Sequence, residues 1–379
     1  MVDIFNRPVR RASRPLDYAG GMSIQMRAYC RRSFASERRK RIARDILIKG
    51  SLASAAIEGN TLSEKEVLAH MQGKLDFPPS KKYLQREVNN IADACNEIAE
   101  KIANHDPLVI SPKRIKELNH SALRDLELND EVIPGKIRTW EIFVGGYKGA
   151  PPRDCDYLLN EMCQWLDGET FQEAPPGAKL IYAIIKALLA HLYIAWIHPF
   201  GDGNGRTARL LEFQILLNSG APGPAAHLLS NHYNQTRSEY YRQLDQASAS
   251  GGDVIPFLRY SVQGFLDGLR AQLDLIRKQQ WGVTWRNFVH ETFKDKNSPA
   301  AVRQRHLVLD LSRSNEPTPI SKIKEVSIRV GLAYHGKTKK TISRDIKTLR
   351  DMGLLCKEHG KVRANKETIL SFLPIKADS

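Results

Sequence analysis

The segment from His198 to Arg209, HPFGDGNGRTAR, concentrates the residue types that phosphate chemistry uses. Three glycines alternate with polar residues directly before a helical stretch, so backbone N–H groups can turn toward one bound anion. His198 can take up a proton near neutral pH, and Asp202 offers the hard oxygen atoms that Mg²⁺ prefers. The pattern therefore predicts a site for a phosphorylated ligand.

Two arginines complete this pattern. Arg206 and Arg209 stand three residues apart, which places them on neighbouring positions of one helical face, where they can hold a polyphosphate. The loop is not a Walker loop, which needs GxxxxGK[ST]. It is not a dinucleotide fingerprint either, because GxGxxG follows a strand and this loop follows an apolar helix.

The surrounding elements are predicted to be mainly α-helical. Apolar spacing favours helices at about 82–103, 177–197, 206–219 and 253–275, and the capping-box spacing after Ser63 predicts another helix start. The apolar stretch 181–197 is short and polar for a membrane span, so it is interpreted as a buried core helix. One small β-hairpin is predicted around the glycine pair at 145–146.

The C-terminal part, 298–373, is predicted to form three helices and a short polar hairpin, and it resembles a winged helix-turn-helix domain. Residues 322–366 hold 13 basic and 4 acidic side chains. If this part binds DNA, the resemblance places four residues toward the groove and three more near the wing. Docking to a protein remains an open alternative. The groove residues are Thr341, Ser343, Arg344 and Lys347, and the wing residues are Lys357, Lys361 and Arg363.

Composition narrows the classes of protein further. The chain has 379 residues, 42% of them hydrophobic, and a formal net charge of +15, so a polyanionic partner must be considered. Its five cysteines form no CxxC pair, which argues against a disulfide framework. We expect a cytoplasmic protein that has no secretory signal and does not act in a membrane.

At His198–Arg209 the sequence resembles the Fic family, whose hallmark HxFx[D/E]GNGRxxR is matched at every fixed position. The resemblance implies a helical Fic fold with a β-hairpin flap, and transfer of AMP from ATP, with Mg²⁺, to Tyr, Thr or Ser hydroxyls of target proteins. It also allows self-modification and a homodimer. The implied domains are an N-terminal helical region (1–108), a catalytic core (109–285) and the winged helix (286–379).

The resemblance also assigns roles to single residues. His198 is implied as the general base and Asp202 as the Mg²⁺ ligand, while a larger set binds ATP and the hairpin docks the target segment. The further ATP-binding residues are Glu58, Gly203, Asn204, Gly205, Arg206, Thr207, Arg209, His232 and Ser248. The docking hairpin comprises Ile142, Phe143, Val144, Gly145, Gly146 and Tyr147.

A second motif, SAAIEG at 54–59, matches the family's inhibitory pattern [S/T]xxxE[G/N] and lies on a helix predicted at about 38–58. The resemblance implies that Glu58 pairs with Arg209 and holds ATP in an unproductive pose. Two rival functions stay open. One is a Fic enzyme that removes AMP or moves another phosphate-containing group, and the other is a nucleotide-sensing, DNA-binding transcriptional regulator.

Overall fold

The computed structural model describes residues 48–106, 108–172, 178–314 and 316–372. The described chain is mainly helical, as predicted, and its contacts divide into two compact units between Leu269 and Arg270. The predicted domain limits at 108/109 and 285/286 stay predictions. Each unit is described separately below.

The first unit begins with three helices: α1 (described over Ile48–Ile57), α2 (Glu64–Met71) and α3 (Lys82–Ala103). The predicted capping box is present, because the Ser63 side chain accepts from the Glu66 N–H and the Glu66 carboxylate accepts from the Ser63 N–H. Apolar side chains of the three helices pack into one cluster, which fixes the position of α1 and of the SAAIEG motif at its end. The predicted part of α1 before residue 48 lies outside the described residues.

The centre of this unit is a pair of largely buried helices, α7 (Lys179–Ile197) and α8 (Asn204–Asn218), which pack against each other. Before them come α4 (Pro112–Leu123), α5 (Pro152–Leu166) and the short α6 (Glu169–Gln172). Among the described helices, α7 alone is long and apolar enough to cross a membrane, yet most of it is buried inside the protein. It is therefore the buried core helix that the sequence predicted.

The predicted hairpin is present between α4 and α5. Strand β1 (Phe143–Val144) pairs antiparallel with β2 (Tyr147–Lys148), and the turn residue Gly145 has a φ of 57°. Phe143 is 69% exposed and Val144 is 41% exposed. The outer edge of the hairpin thus carries apolar side chains that no part of the described chain covers.

Four helices follow α8: α9 (Gly223–Ala226), α10 (Leu228–Gln235), α11 (Arg237–Ala249) and α12 (Ile255–Thr292). The helix predicted at 253–275 is therefore much longer than expected. Gly264 lies inside this helix and permits close packing, because a Cβ atom there would lie 2.1 Å from the His232 ring.

The second unit has its own core around Trp285, Leu307 and Leu349. It contains α13 (Pro299–Leu311), α14 (Ile328–Ala333), α15 (Lys339–Asp351) and a three-stranded antiparallel sheet. The three predicted helices and the hairpin of β4 (Leu355–Glu358) with β5 (Lys361–Ala364) are confirmed, while the short β3 (Thr318–Pro319) was not predicted. The identity of this unit as a winged helix stays a prediction.

The four predicted groove residues all lie on α15, whereas the three predicted wing residues lie on β4 and β5. Ser343, Arg344 and Lys347 are exposed and Thr341 is half-buried, whereas Asp345 turns inward to an ion pair with Arg303 at 2.8 Å. The outward face of α15 therefore carries the basic side chains.

Candidate active site

The motif loop connects α7 to α8 through two residues in the left-handed region. His198 ends α7 with φ 47° and ψ 58°, and Gly203 precedes α8 with φ 76°. A non-glycine residue rarely adopts this conformation, which is found where surrounding contacts hold a functional side chain in place. Gly203 offers no side-chain cap, so the first N–H groups of α8 are available to an anion.

Asn204 shapes the loop rather than lining its opening. Its side-chain Oδ1 accepts from the Phe200 N–H at 3.0 Å, and its Nδ2 donates to the Phe200 carbonyl at 2.8 Å. Both polar ends of the amide are therefore used, and the residue is 3% exposed. These two bonds hold the loop in shape, and the ATP-binding role implied for Asn204 stays a prediction.

Thr207 is also turned inward. Its hydroxyl donates to the Gly203 carbonyl at 2.8 Å and accepts from Asn119 Nδ2 at 3.2 Å. The same amide nitrogen donates to the Asp202 carbonyl at 3.0 Å, and Asn119 Oδ1 accepts from the Gly135 N–H. Asn119, on α4, is thus a support for the loop that sequence reasoning missed.

The His198 imidazole is oriented by its own helix. Nδ1 lies 3.3 Å from the Ala195 carbonyl, and because a carbonyl only accepts, this contact places the hydrogen on Nδ1. Nε2 is then left with a lone pair. Burial lowers the pKa of His198 below its ordinary value of 6.5 and outweighs the hydrogen bond with Ala195, which raises it. The charge of Arg138 lowers this pKa further, and the carboxylates of Glu58 and Asp202 oppose it more weakly. The neutral, proton-accepting form therefore prevails at neutral pH.

Arg138 connects this histidine to the hairpin. The guanidinium donates to the carbonyl of His198 at 2.8 Å, and also to the carbonyls of Trp140 and Ala150 at the two ends of the hairpin. The residue is 3% exposed. Backbone bonds add to it, from Arg138 N–H to the Pro199 carbonyl and from Ala150 N–H to the Ile197 carbonyl. Motif and hairpin are therefore bonded to each other.

Arg209 is bound by α1, as the resemblance implied. Its NH2 donates to Glu58 Oε1 at 2.5 Å and to the Ser54 carbonyl at 3.0 Å, and its Nε donates to the Ser54 hydroxyl at 2.9 Å. The Arg209 side chain is 1% exposed. Its remaining nitrogen, NH1, is buried and has no hydrogen-bond partner among the described residues, which marks a place for one more acceptor.

The ion pair of Glu58 with Arg209 lies directly over the motif loop. A Cβ atom on Gly205 would lie 2.4 Å from Glu58 Oε1 and 3.0 Å from Arg209 NH1, so this glycine permits the approach. Burial tends to raise the pKa of Glu58, but the charge and hydrogen bond of Arg209 outweigh it, and the pKa lies below its ordinary value. Glu58 is therefore a carboxylate at neutral pH and occupies the edge of the anion site.

A tyrosine from α11 also contacts the end of α1. The Tyr241 hydroxyl donates to the Ile57 carbonyl at 3.1 Å, and the Arg237 guanidinium lies 5.8 Å from the Tyr241 ring centre. The structure places Tyr241 as a restraint on the helix that presents Glu58.

Arg206 is bound by Glu87, from α3, and by Asp202, from the motif loop. Its NH1 donates to Glu87 Oε1 at 2.6 Å, and its NH2 donates to Asp202 Oδ1 at 2.9 Å. Asp202 Oδ1 also accepts from the Gly203 N–H, so one oxygen of this carboxylate has two protein partners. Arg206 Nε is buried, has no hydrogen-bond partner in the part of the chain that the structure describes, and remains for a ligand.

Asp202 fits the predicted role of a Mg²⁺ ligand. Its side chain is 45% exposed, and none of the hydrogen bonds found among the described residues uses Oδ2. The described residues contain no group of three or more His, Cys, Asp and Glu that could hold a metal alone. One carboxylate combined with phosphate oxygens and water is the arrangement in which Mg²⁺ commonly binds.

The two residues predicted near the nucleoside have partners of their own. His232 packs on Gly264, and its ring centre lies 4.5 Å from that of Tyr260. Ser248 accepts from Trp196 Nε1 at 2.9 Å, and the Trp196 carbonyl accepts from the Tyr147 hydroxyl at 3.0 Å. The observed contacts connect Ser248 to the hairpin and His232 to α12, so their role toward a nucleoside stays a prediction.

The motif loop, the buried arginines and the hairpin all lie within residues 109–216, which match the Fic/DOC family. This chain contains a Fic/DOC domain. The matched region begins at the limit predicted for the core and ends within α8, so it includes the hairpin, His198 and both motif arginines.

Similar proteins support this Fic assignment. A protein adenylyltransferase fic-1 of Caenorhabditis briggsae is 32% identical over 58% of this chain and 41% of its own length. The protein adenylyltransferase fic-1 of Caenorhabditis elegans is 30% identical over 59% of this chain and 42% of its own length. The chain thus spans about two fifths of the length of these curated relatives.

Solved structures show the same Fic fold. A Fic family protein from Desulfovibrio desulfuricans superimposes with a TM-score of 0.54, at 20% identity, over 94% of this chain and 98% of that one. A fragment of Fic-1 from C. elegans superimposes with a TM-score of 0.52, at 24% identity, over 70% and 72%. At these identities the likeness supports the fold alone.

Proposed function

We propose that this chain is a self-inhibited protein adenylyltransferase that transfers AMP from ATP to Tyr, Thr or Ser hydroxyls of target proteins. Two observations together carry the proposal. His198 has an Nε2 lone pair that can accept a proton, and Arg209, at the motif loop, is bound by Glu58. The names of the fic-1 relatives support the same activity.

The transfer is a displacement at the α-phosphorus. The target oxygen forms a bond to phosphorus, the bond to the departing pyrophosphate breaks, and the hydroxyl proton passes to His198 Nε2. The N–H groups at the start of α8, with Arg206 and Arg209, bind the phosphates and neutralise the charge that the leaving pyrophosphate gains. Positioning and charge therefore supply most of the acceleration.

Asp202 Oδ2 would hold Mg²⁺ together with phosphate oxygens of ATP. When bound, the ion supplies positive charge to the phosphate groups. Arg206 leaves this oxygen open by engaging only Oδ1.

The hairpin provides a docking edge for the target. Phe143 and Val144 are exposed, so an extended segment of the target can pair with β1 by main-chain hydrogen bonds. Such bonds depend little on the sequence of the target. The hairpin's connection to His198 through Arg138 would then bring the hydroxyl of that segment to the base.

The transfer rate should not fall until the pH is below the ordinary pKa of a histidine. Because burial lowers the pKa of His198, the neutral base remains the main form at pH 6.5, and kcat/KM should fall only when the pH drops through the lowered value. The pH profile of kcat/KM for the Glu58→Gly variant tests this. An inflection at or above about 6.5 contradicts the assigned environment of the histidine.

The position of the transferred label tests the proposed reaction. The Glu58→Gly variant, incubated with a host lysate and with ATP labelled at either the α- or the γ-phosphate, should label proteins only from the α position. Mass spectrometry of the products should show an added AMP group. Label from the γ position, or loss of AMP from previously modified proteins without new labelling, would favour one of the other phosphate reactions.

A second candidate function is DNA binding by the second unit. The exposed Ser343, Arg344 and Lys347 on α15 favour it, together with the concentration of basic residues in 322–366. We expect affinity for duplex DNA to fall steeply from 50 to about 200 mM salt, and Arg344→Ala with Lys347→Ala to flatten that dependence. Absence of binding at low salt in a filter or anisotropy assay rules this function out.

A further inference from the structure

Glu87, on α3, lies between the end of α1 and the motif helix. It is 9% exposed, and its two oxygens have different partners: Oε1 accepts from Arg206 NH1 at 2.6 Å, and Oε2 accepts from Asn60 Nδ2 at 2.9 Å. A buried carboxylate is stable only when its oxygens are satisfied in this way. Glu87 is therefore a hydrogen-bond acceptor of fixed position that holds NH1 of Arg206.

Asn60 fixes the orientation of this carboxylate. Its Nδ2 also donates to the Leu84 carbonyl at 2.8 Å, and its Oδ1 accepts from the Leu62 N–H at 3.1 Å. Asn60 is 6% exposed, two residues after Glu58. The direction in which Glu87 presents Oε1 is thus set by side-chain and backbone bonds.

The consequence appears at Asp202. An unrestrained arginine and a carboxylate commonly form two parallel hydrogen bonds, which would use both carboxylate oxygens. Here Glu87 holds Arg206 NH1, and only NH2 reaches Asp202, at Oδ1. The Glu87 contact thus keeps Arg206 to a single hydrogen bond and leaves Oδ2 open.

We propose that Glu87 is a positioning residue for the divalent cation: by holding Arg206 it keeps one oxygen of Asp202 free for Mg²⁺. The inference rests on the proposed function, because the cation enters with ATP. Removing the charge of Glu87 would free Arg206 to pair with both oxygens of Asp202 and compete with the ion. Residues that orient a metal ligand typically change metal affinity by about 10–100-fold when replaced.

The test is the Mg²⁺ dependence of ATP binding, measured by calorimetry on the full chain in a His198→Ala background that prevents turnover. With Glu87→Gln, the Mg²⁺ concentration that gives half of the gain in ATP affinity should rise about 10–100-fold. ATP affinity in EDTA should stay within about twofold, since Arg206 and the loop N–H groups remain. Glu87→Asp, which keeps the charge on a shorter side chain, should recover part of the shift.

The matched control is Glu117→Gln, which removes an equal charge from an acid that pairs with Arg114 at 3.3 Å. An unchanged Mg²⁺ midpoint in Glu87→Gln, an equal loss of affinity with and without Mg²⁺, or an equal shift in Glu117→Gln would each overturn the proposal. If the background protein gains no ATP affinity from Mg²⁺, the cation role in the proposed function fails instead. The two failures are therefore distinguishable.

Discussion

Replacing Glu58 by glycine is expected to raise AMP transfer by about 100-fold, the scale of one positioned charge at a transition state. In the structure Glu58 holds Arg209 NH2 at 2.5 Å beside the motif loop, so the γ-phosphate of a bound ATP would meet a carboxylate where it needs a cation. Without that carboxylate, Arg209 can bind the phosphate tail. Label from α-phosphate-labelled ATP, quantified on a protein target and on the chain itself, measures the effect.

Two further variants separate charge from backbone effects. Glu58→Gln keeps the helix and most of the shape, so it should raise transfer nearly as much as glycine if the charge is responsible. Glu64→Gln breaks the nearby exposed ion pair with Lys49, at 3.1 Å, and should leave transfer unchanged. Equal labelling by the parent protein and by both Glu58 variants would remove the case for inhibition through this contact.

Loss of the His198 side chain is expected to have the largest effect of all. In a Glu58→Gly background, His198→Ala should lower kcat by about 10²–10⁴-fold, the usual contribution of a general base. ATP affinity should change little, because the phosphate contacts come from α8 and its arginines. Single-turnover transfer and calorimetric ATP binding, measured on the same preparation, provide the two quantities.

His191 supplies the control, because it is the other histidine of α7. It is fully buried, with Nε2 at 2.8 Å from the Tyr240 hydroxyl and Nδ1 at 3.0 Å from Glu212, so its replacement should reduce the unfolding temperature rather than the chemical step. Transfer that persists undiminished in His198→Ala would refute the assignment of the base. A parallel loss of ATP binding would show that the loop itself had collapsed.

The chemistry of the site could be predicted from local sequence because its groups are close together along the chain. His198 to Arg209 is one loop and one helical turn, and the contact of Glu58 with Arg209 followed from the family resemblance and is present. The enclosing helices were also predicted, since apolar spacing reports which face is buried. These features depend on short stretches or on a motif.

The supports of the site could not be predicted, because each comes from a distant element. Asn119, Arg138 and Glu87 reach the motif only after α3, α4 and the hairpin have packed, and no spacing in one sequence gives the register between packed elements. The same limit applies to Asn204 and Thr207: their contacts within the loop, made by their side chains, could not be predicted, and their implied ATP-binding roles stay predictions. The helix predicted at 253–275 continues to Thr292, so its length was underestimated.

Arg138 fixes the separation between the hairpin and His198. Its planar guanidinium bonds to His198, Trp140 and Ala150 through their carbonyls, and a rigid group of fixed size allows little variation in the separation between hairpin and base. If a target segment pairs with β1 as proposed, this fixed separation would bring its side chain to His198 at a single depth. Selectivity among targets would then depend on the reach of the side chain, which separates a tyrosine from a serine even where the neighbouring residues are identical.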